Sequence, residues 1–326
     1  MSARRQLRAS CAALVFTTFS FGAFAQSYPA HAITLTVPFP PGGPTDTIGR
    51  IVAEGMRNAI GQPVVVKNVA GATGSIATGQ VARAAPDGYT IVLGTIATHV
   101  FNGAAYRLDH DLVKDFAPVS LVAFDPQIVS VRKCLPVSNL GELISWLKAH
   151  PDDAVAGTAG VGSTAHIGAV RFQQLTGTTF RFVPYGGLGP AMQELIAGRI
   201  DIVFGLAGNT TAHVESGTIK ALAVTAKSRL VDAPDIPTVA EAGLSEFQFI
   251  NWHAIFAPRG TPDVVLKRLN DVIVRALTDA PTVKRLSAIG QQLPARDQLT
   301  PQALAEYQRN EIDTWWPVIK STSVHQ

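Results

Sequence analysis

The segment Val37-Pro38-Phe39-Pro40-Pro41-Gly42-Gly43-Pro44-Thr45-Asp46-Thr47-Ile48-Gly49-Arg50 could hold an anion. Gly42 and Gly43 leave backbone N–H groups bare just before Ile48, Ile51, Val52, Met56, Ala59 and Ile60, which recur at helical spacing. Unpaired donors and the helix dipole then point the same way. The loop carries no Lys, Arg, Cys or His, so its chemistry is binding and not reaction. Thr45 or Asp46 can cap the helix, and Asp46 and Arg50 lie one turn apart. Asp46 reads more readily as that cap and partner of Arg50 than as a ligand contact.

Other constellations that could catalyse are incomplete. Gly160-Val161-Gly162-Ser163-Thr164-Ala165 spells G-x-G-x-x-A between a strand and a helix, the letters of a dinucleotide fingerprint. About twenty residues on, the chain reads Phe180-Arg181-Phe182-Val183, without the acid that would hold a ribose. Ser75 and Ser163 lack the glycines two residues to either side that a nucleophile elbow needs. No two of the eight histidines stand at i, i+3 or i, i+4, so metal spacing is missing. His166, in a helix's first turn, suits a structural hydrogen bond as well as ligand contact. The sequence therefore implies no cofactor, no metal and no catalytic residue.

The N-terminus points to export. Arg4, Arg5 and Arg8 precede a short apolar run, and Ala23-Phe24-Ala25 fits a signal-peptidase site. Cleavage after Ala25 would release a periplasmic chain beginning at Gln26. The chain has 27 basic and 24 acidic residues, and the signal takes three arginines and no acid. The mature chain is then formally neutral, which argues against nucleic acid as a partner. Cys11 leaves with the signal, so Cys134 has no partner for a disulfide. It reads as a bystander more readily than as a reactive thiol.

The elements that must position these loops follow one scheme: strand, small-residue loop, helix. Strands are expected at 33–37, 64–66, 90–93, 154–157, 180–183, 200–204 and 219–225, and helices at 140–149, 191–197, 262–278, 282–289 and 301–320. Two long extended stretches, 119–131 and 247–257, read as crossings between domains, the first broken at Asp125-Pro126. About 300 residues exceed one comfortable core, so two domains are expected. One comprises 26–126 and 248–326 and the other 127–247. Alternating strands and helices imply α/β architecture with largely parallel sheets and ligand loops at the strands' carboxyl ends. Six such loops, at 38–46, 71–75, 94–99, 158–166, 184–190 and 205–210, contain no Lys or Arg. Thr73 and Thr95 offer hydroxyls there. A carboxylate among these loops would be held by N–H groups, hydroxyls and water.

The ordered motifs Pro38–Asp46, Pro86-Asp87-Gly88-Tyr89, Lys114-Asp115-Phe116-Ala117-Pro118, Gly160-Val161-Gly162-Ser163 with His166, Val183-Pro184-Tyr185 and Asp235-Ile236-Pro237-Thr238 carry a resemblance over the whole mature chain. The chain closely resembles the periplasmic receptors of tripartite tricarboxylate transporters, the Bug family. The resemblance implies a two-domain periplasmic-binding-protein fold that closes on a small carboxylate like a Venus flytrap. Its ligand loops carry over to Phe39, Pro40, Gly42, Gly43, Thr45 and Asp46 in one domain. In the other they carry over to Thr158, Gly160, Gly162, Ser163, Thr164 and His166, with Tyr185 and Gly186 nearby. It also implies delivery to the transporter's membrane components by a receptor expected to be monomeric. An exported enzyme acting on small carboxylates ranks second, and a sensory receptor presenting its ligand to a signalling partner third.

Overall fold

The computed structural model describes residues 28–151 and 153–320. The expected signal peptide and its cleavage site lie outside the described residues. Within them, strands β1 (Ile33–Val37), β2 (Val64–Asn68) and β3 (Thr90–Thr95) alternate with helices α1 (Pro44–Ile60) and α2 (Ser75–Ala82). A wide helical turn at Ala97–Phe101 and the short α3 (Asn102–Ala105) lead to β4 (Phe116–Arg132). The second half follows with α4 (Leu140–Ala149), β5 (Val155–Thr158), α5 (Thr164–Thr176), β6 (Arg181–Pro184) and α6 (Leu188–Ile196). Then come β7 (Ile202–Leu206), α7 (Ala207–Glu215) and β8 (Ile219–Val224). The chain returns through β9 (Ile250–Pro258) and ends in α8 (Asp263–Thr278), α9 (Ala280–Ser287) and α10 (Pro301–Lys320).

One 17-residue strand joins two sheets. Residues Phe116 to Pro126 of β4 pair antiparallel with β9, beside β3, β1 and the edge strand β2. Residues Gln127 to Arg132 pair instead with β7 and β8, and β7 leads to β5 and β6. The outer pairs β1–β2, β1–β3, β5–β6 and β5–β7 are parallel, as expected for strands joined by crossover helices. The pairs made by the two crossing strands are antiparallel, so the sheets are mixed and not largely parallel. The expected break at Asp125-Pro126 does not occur. Asp125 and Pro126 stay in register with Asn251 and Ile250, and register shifts fall elsewhere along β4.

Each half packs its own helices. Ile48, Val52 and Met56 bury one face of α1 against Leu35, Val37 and Leu93. A Cβ on Gly49 would come within 2.8 Å of Val37, so glycine lets α1 press onto β1. Leu188, Met192 and Leu195 do the same for α6 against Val203. A third cluster runs across the crossing strands, from Phe101 through Phe249, Trp252 and Trp315 to Phe172, Phe204 and Phe247. Ring centroids of Phe249 and Trp315 are 4.9 Å apart, and those of Phe172 and Phe247 5.6 Å. Each fully buried ring of this kind stabilises by about 1.5–3 kcal/mol.

Candidate functional site

The strand-end loops of the two sheets face one another across a cavity of about 560 Å³. One wall is Pro38 to Thr45, with Gly71, Thr73, Gly74, Thr95 and Ala97. The facing wall is Ala159, Ser163, Thr164, Gly186 to Pro190, Leu206 and Asn209. Phe204 and Asn251 also line the cavity, and no charged side chain does. The volume is that of an ordinary small-molecule site.

The first wall is built by proline and glycine. Gly43 precedes α1 without a side-chain cap, and Pro44 stands at its first turn. Gly42 adopts φ +82°, the left-handed region that favours glycine. Its N–H donates to Asp46 Oδ2 at 2.8 Å. Arg50 Nε donates to the same oxygen at 2.9 Å, and Asn68 Nδ2 donates to Oδ1 at 2.9 Å and to the Phe39 carbonyl at 3.1 Å. Burial works against the Asp46 carboxylate. The bonds from Arg50, Gly42 and Asn68 outweigh it and hold its pKa below the usual value. Asp46 is thus the clasp of the loop and lies outside the cavity lining. It is not the N-cap, which is Gly43, and its oxygens accept from Gly42, Arg50 and Asn68.

Thr45 reaches the cavity, and His253 stands behind it with Nε2 3.4 Å from the Thr45 hydroxyl. His253 is fully buried, and desolvation drives its pKa down to about 3, so the ring is neutral. Its Nδ1 has no partner.

On the second wall Ser163 caps α5, accepting from the His166 N–H at 3.3 Å. The Gly162 N–H donates to His166 Nδ1 at 3.1 Å. The imidazole packs edge-on to Phe182, with centroids 4.7 Å apart. Burial lowers its pKa to about 4, leaving it neutral. His166 therefore braces the glycine loop from behind and is not part of the cavity surface. Thr158, Gly160, Gly162 and Tyr185 also stand outside the lining. Thr158 is buried at the end of β5, and the Tyr185 N–H is spent on its carbonyl at 3.0 Å.

Of the residues expected from sequence, the cavity gathers Phe39, Pro40, Gly42, Gly43, Thr45, Thr73, Thr95, Ser163, Thr164 and Gly186. It adds Asn209 in the first turn of α7 and Asn251 on β9, each with a buried Oδ1 that has no partner. Asn251 was legible as a polar residue inside the apolar run 247–257. Asn209 lies in a stretch expected to be loop that instead begins α7. Neither α2 at Gly74 nor α6 at Gly187 has a side-chain cap, so these helices, like α1, turn open donors toward the loops. The arrangement suits an anion held by neutral donors. Among the described residues no cluster of three His, Cys, Asp or Glu could hold a metal, and no helix is long and apolar enough to cross a membrane.

Residues 48–324 match the tripartite tricarboxylate transporter family receptor. Protein BugT of Bordetella pertussis is 34% identical over 300 residues, 91% of each chain. An Agrobacterium vitis protein from the ttuE-ttuC' intergenic region is 36% identical over 90% of this chain and 85% of its own length. Among solved structures, MatC from Rhodopseudomonas palustris, with bound malate, is 36% identical with a TM-score of 0.82 and covers 90% of this chain and all of its own. A second R. palustris protein, solved with adipate, is 34% identical with a TM-score of 0.83, over 90% of this chain and 98% of its own. The architecture is that of a two-domain periplasmic binding protein. The chain belongs to the tripartite tricarboxylate transporter receptors of the Bug family, which are solute-binding receptors and not enzymes.

Proposed function

We propose that this protein captures a small carboxylate in the periplasm and delivers it to the membrane components of a tripartite tricarboxylate transporter. The observation that carries this reading is the cavity wall: open helix N-termini and hydroxyls from both sheets, with no charged side chain. A carboxylate there would be held by neutral donors, each charge-assisted bond contributing about 1.5–3 kcal/mol. Neutral donors release a ligand more readily than a buried ion pair does, which suits a carrier. Bound malate and adipate in related structures support the same class of ligand.

The switch of β4 from β9 to β7 and β8 after Pro126 supports domains of 26–126 with 248–326, and 127–247. We read Phe39, Gly42, Gly43, Thr45, Ser163 and Thr164 as the carboxylate's surroundings, with Asn209 and Asn251 beside them. Export is through the signal peptide, leaving Gln26 as the first residue. The test is mass spectrometry of what co-purifies, followed by a thermal-shift screen of organic acids. Ligand-dependent stabilisation by one or more acids is expected. Turnover of a bound acid by the purified protein would overturn the reading.

A further inference from the structure

Thr73 occupies backbone space that a β-branched residue rarely enters. Its φ is 51° and ψ 35°, and Ala72 before it has φ 46°. Glycine would fit there without strain, yet the chain places threonine on the cavity wall. Two side chains hold it in place. Asn102 Nδ2 donates to the Thr73 carbonyl at 3.0 Å and to Ser75 Oγ at 2.9 Å. The Tyr106 hydroxyl lies 3.2 Å from Thr73 Oγ1 and donates to the Val161 carbonyl, in the loop across the cleft, at 3.0 Å.

That geometry settles the direction of the hydrogen bonds. A phenol has one proton, and Tyr106 spends it on a carbonyl, which can only accept. Thr73 must then donate to Tyr106. Its remaining capacity toward the cavity is lone pairs only. Thr45, on the same wall, has the opposite bias. His253 Nδ1 is buried without a partner, so an imidazole proton on Nε2, aimed at Thr45 Oγ1, avoids an orphaned donor and leaves the Thr45 proton for the cavity. Asn209 and Asn251 can present either end of an amide by turning over. Thr45 and Thr73 cannot reverse without giving up these bonds.

We infer that Thr73, polarised by Tyr106, is a specificity-determining acceptor, so that the cavity selects carboxylates that also carry a hydroxyl or ammonium donor. The carboxylate lies toward Thr45 and the open N-terminus of α1, and the donor toward Thr73. Tyr106 is a positioning residue, acting through Thr73 and tying the selection to contact between the two walls. This inference rests on the carboxylate reading above.

The experiment is calorimetry with two matched sets of acids: succinate, malate and aspartate, and phenylacetate, mandelate and phenylglycine. In whichever set binds, the hydroxy or amino acid is expected to bind roughly tenfold tighter than its unsubstituted parent. Thr73→Val should bring that ratio close to one, and Thr73→Ser should keep it. Tyr106→Phe should also shrink the ratio, because the Thr73 proton is then released toward the cavity. A purely structural role for Tyr106 would weaken parent and substituted acid alike and leave the ratio intact. Binding with no advantage for the donor-bearing acid overturns this inference alone, as does a ratio that survives both Thr73→Val and Tyr106→Phe. No binding by any acid overturns the carboxylate reading and this inference with it.

Discussion

Asp125 and Asn251 stand opposite one another in register on β4 and β9, one residue before β4 leaves β9 for the other sheet. Both are buried, and Asn251 Oδ1 has no hydrogen-bond partner. Asn251 faces the cavity. Asp125 faces Gln291 and the Ala207 and Gly208 N–H groups at the start of α7, which temper its environment without neutralising the cost of burial.

Asp125 should make stability fall as pH rises. Burial lifts its pKa from 3.8 to about 7. Below the unfolded value the group is protonated in both states. Between about pH 4 and 7 the unfolded chain loses the proton and the folded chain keeps it, so folding becomes less favourable, by on the order of a few kcal/mol above pH 7. Asp125→Asn should therefore melt higher than wild type at about pH 8, with the difference shrinking toward pH 4. Parallel melting curves across that range would refute it.

Gly42→Val should abolish ligand binding while leaving the fold intact. A Cβ at Gly42 meets nothing within 4 Å, so the damage comes from the left-handed backbone, φ +82°, whose shift would also move the N–H away from Asp46. Forcing an L residue there costs about 1–2 kcal/mol, more for a branched side chain. Calorimetry together with circular dichroism checks it. Normal binding by this variant would remove the β1–α1 loop from the site.

Ser163→Ala should weaken binding several-fold and lower stability by about 1 kcal/mol. The hydroxyl both lines the cavity and caps α5 through the His166 N–H. Thermal melts and calorimetry on the same preparation separate the two losses. A variant with unchanged affinity would show that Ser163 serves only the helix.

Ligand should favour approach of the two walls, with β4 and β9 as the bending elements. The radius of gyration from small-angle scattering is expected to fall at saturating ligand. An unchanged radius would mark a rigid pocket.

Cys134→Ser should leave affinity untouched, because the thiol is exposed in the turn after β4 and outside the cavity lining. Calorimetry decides it. A loss of affinity would place this turn in contact with the ligand-binding loops.

Local chemistry made much of this protein legible from its sequence. The spacing of Ile48, Val52 and Met56 defines α1, Gly61 ends it in the left-handed region, and Asn139 caps α4 by accepting from the Glu142 N–H. The anion-binding character of residues 38–45 is equally local, since prolines, glycines and a helix start are contiguous there. Partner choice across space was not legible. The Asp46–Arg50 pair could be read from their one-turn spacing, but the bond from Asn68, 22 residues away, to the other Asp46 oxygen could not. For His166 the sequence left a structural hydrogen bond and ligand contact equally open, and the structure shows the first, from the loop's own Gly162 N–H to Nδ1. The break expected at Asp125-Pro126 disappeared because β9, more than a hundred residues later, carries its ladder as far as the proline, and β7 and β8 take over directly after it. Sequence by itself determined most of the helices and strands and the neutral, hydroxyl-rich loops, because these depend on spacing and on residues within one turn of each other. Only the tertiary structure decided which hydroxyl donates and which accepts. That choice depends on where Tyr106, Val161 and His253 lie in space, and hydrogen-bond direction follows from having one proton to give.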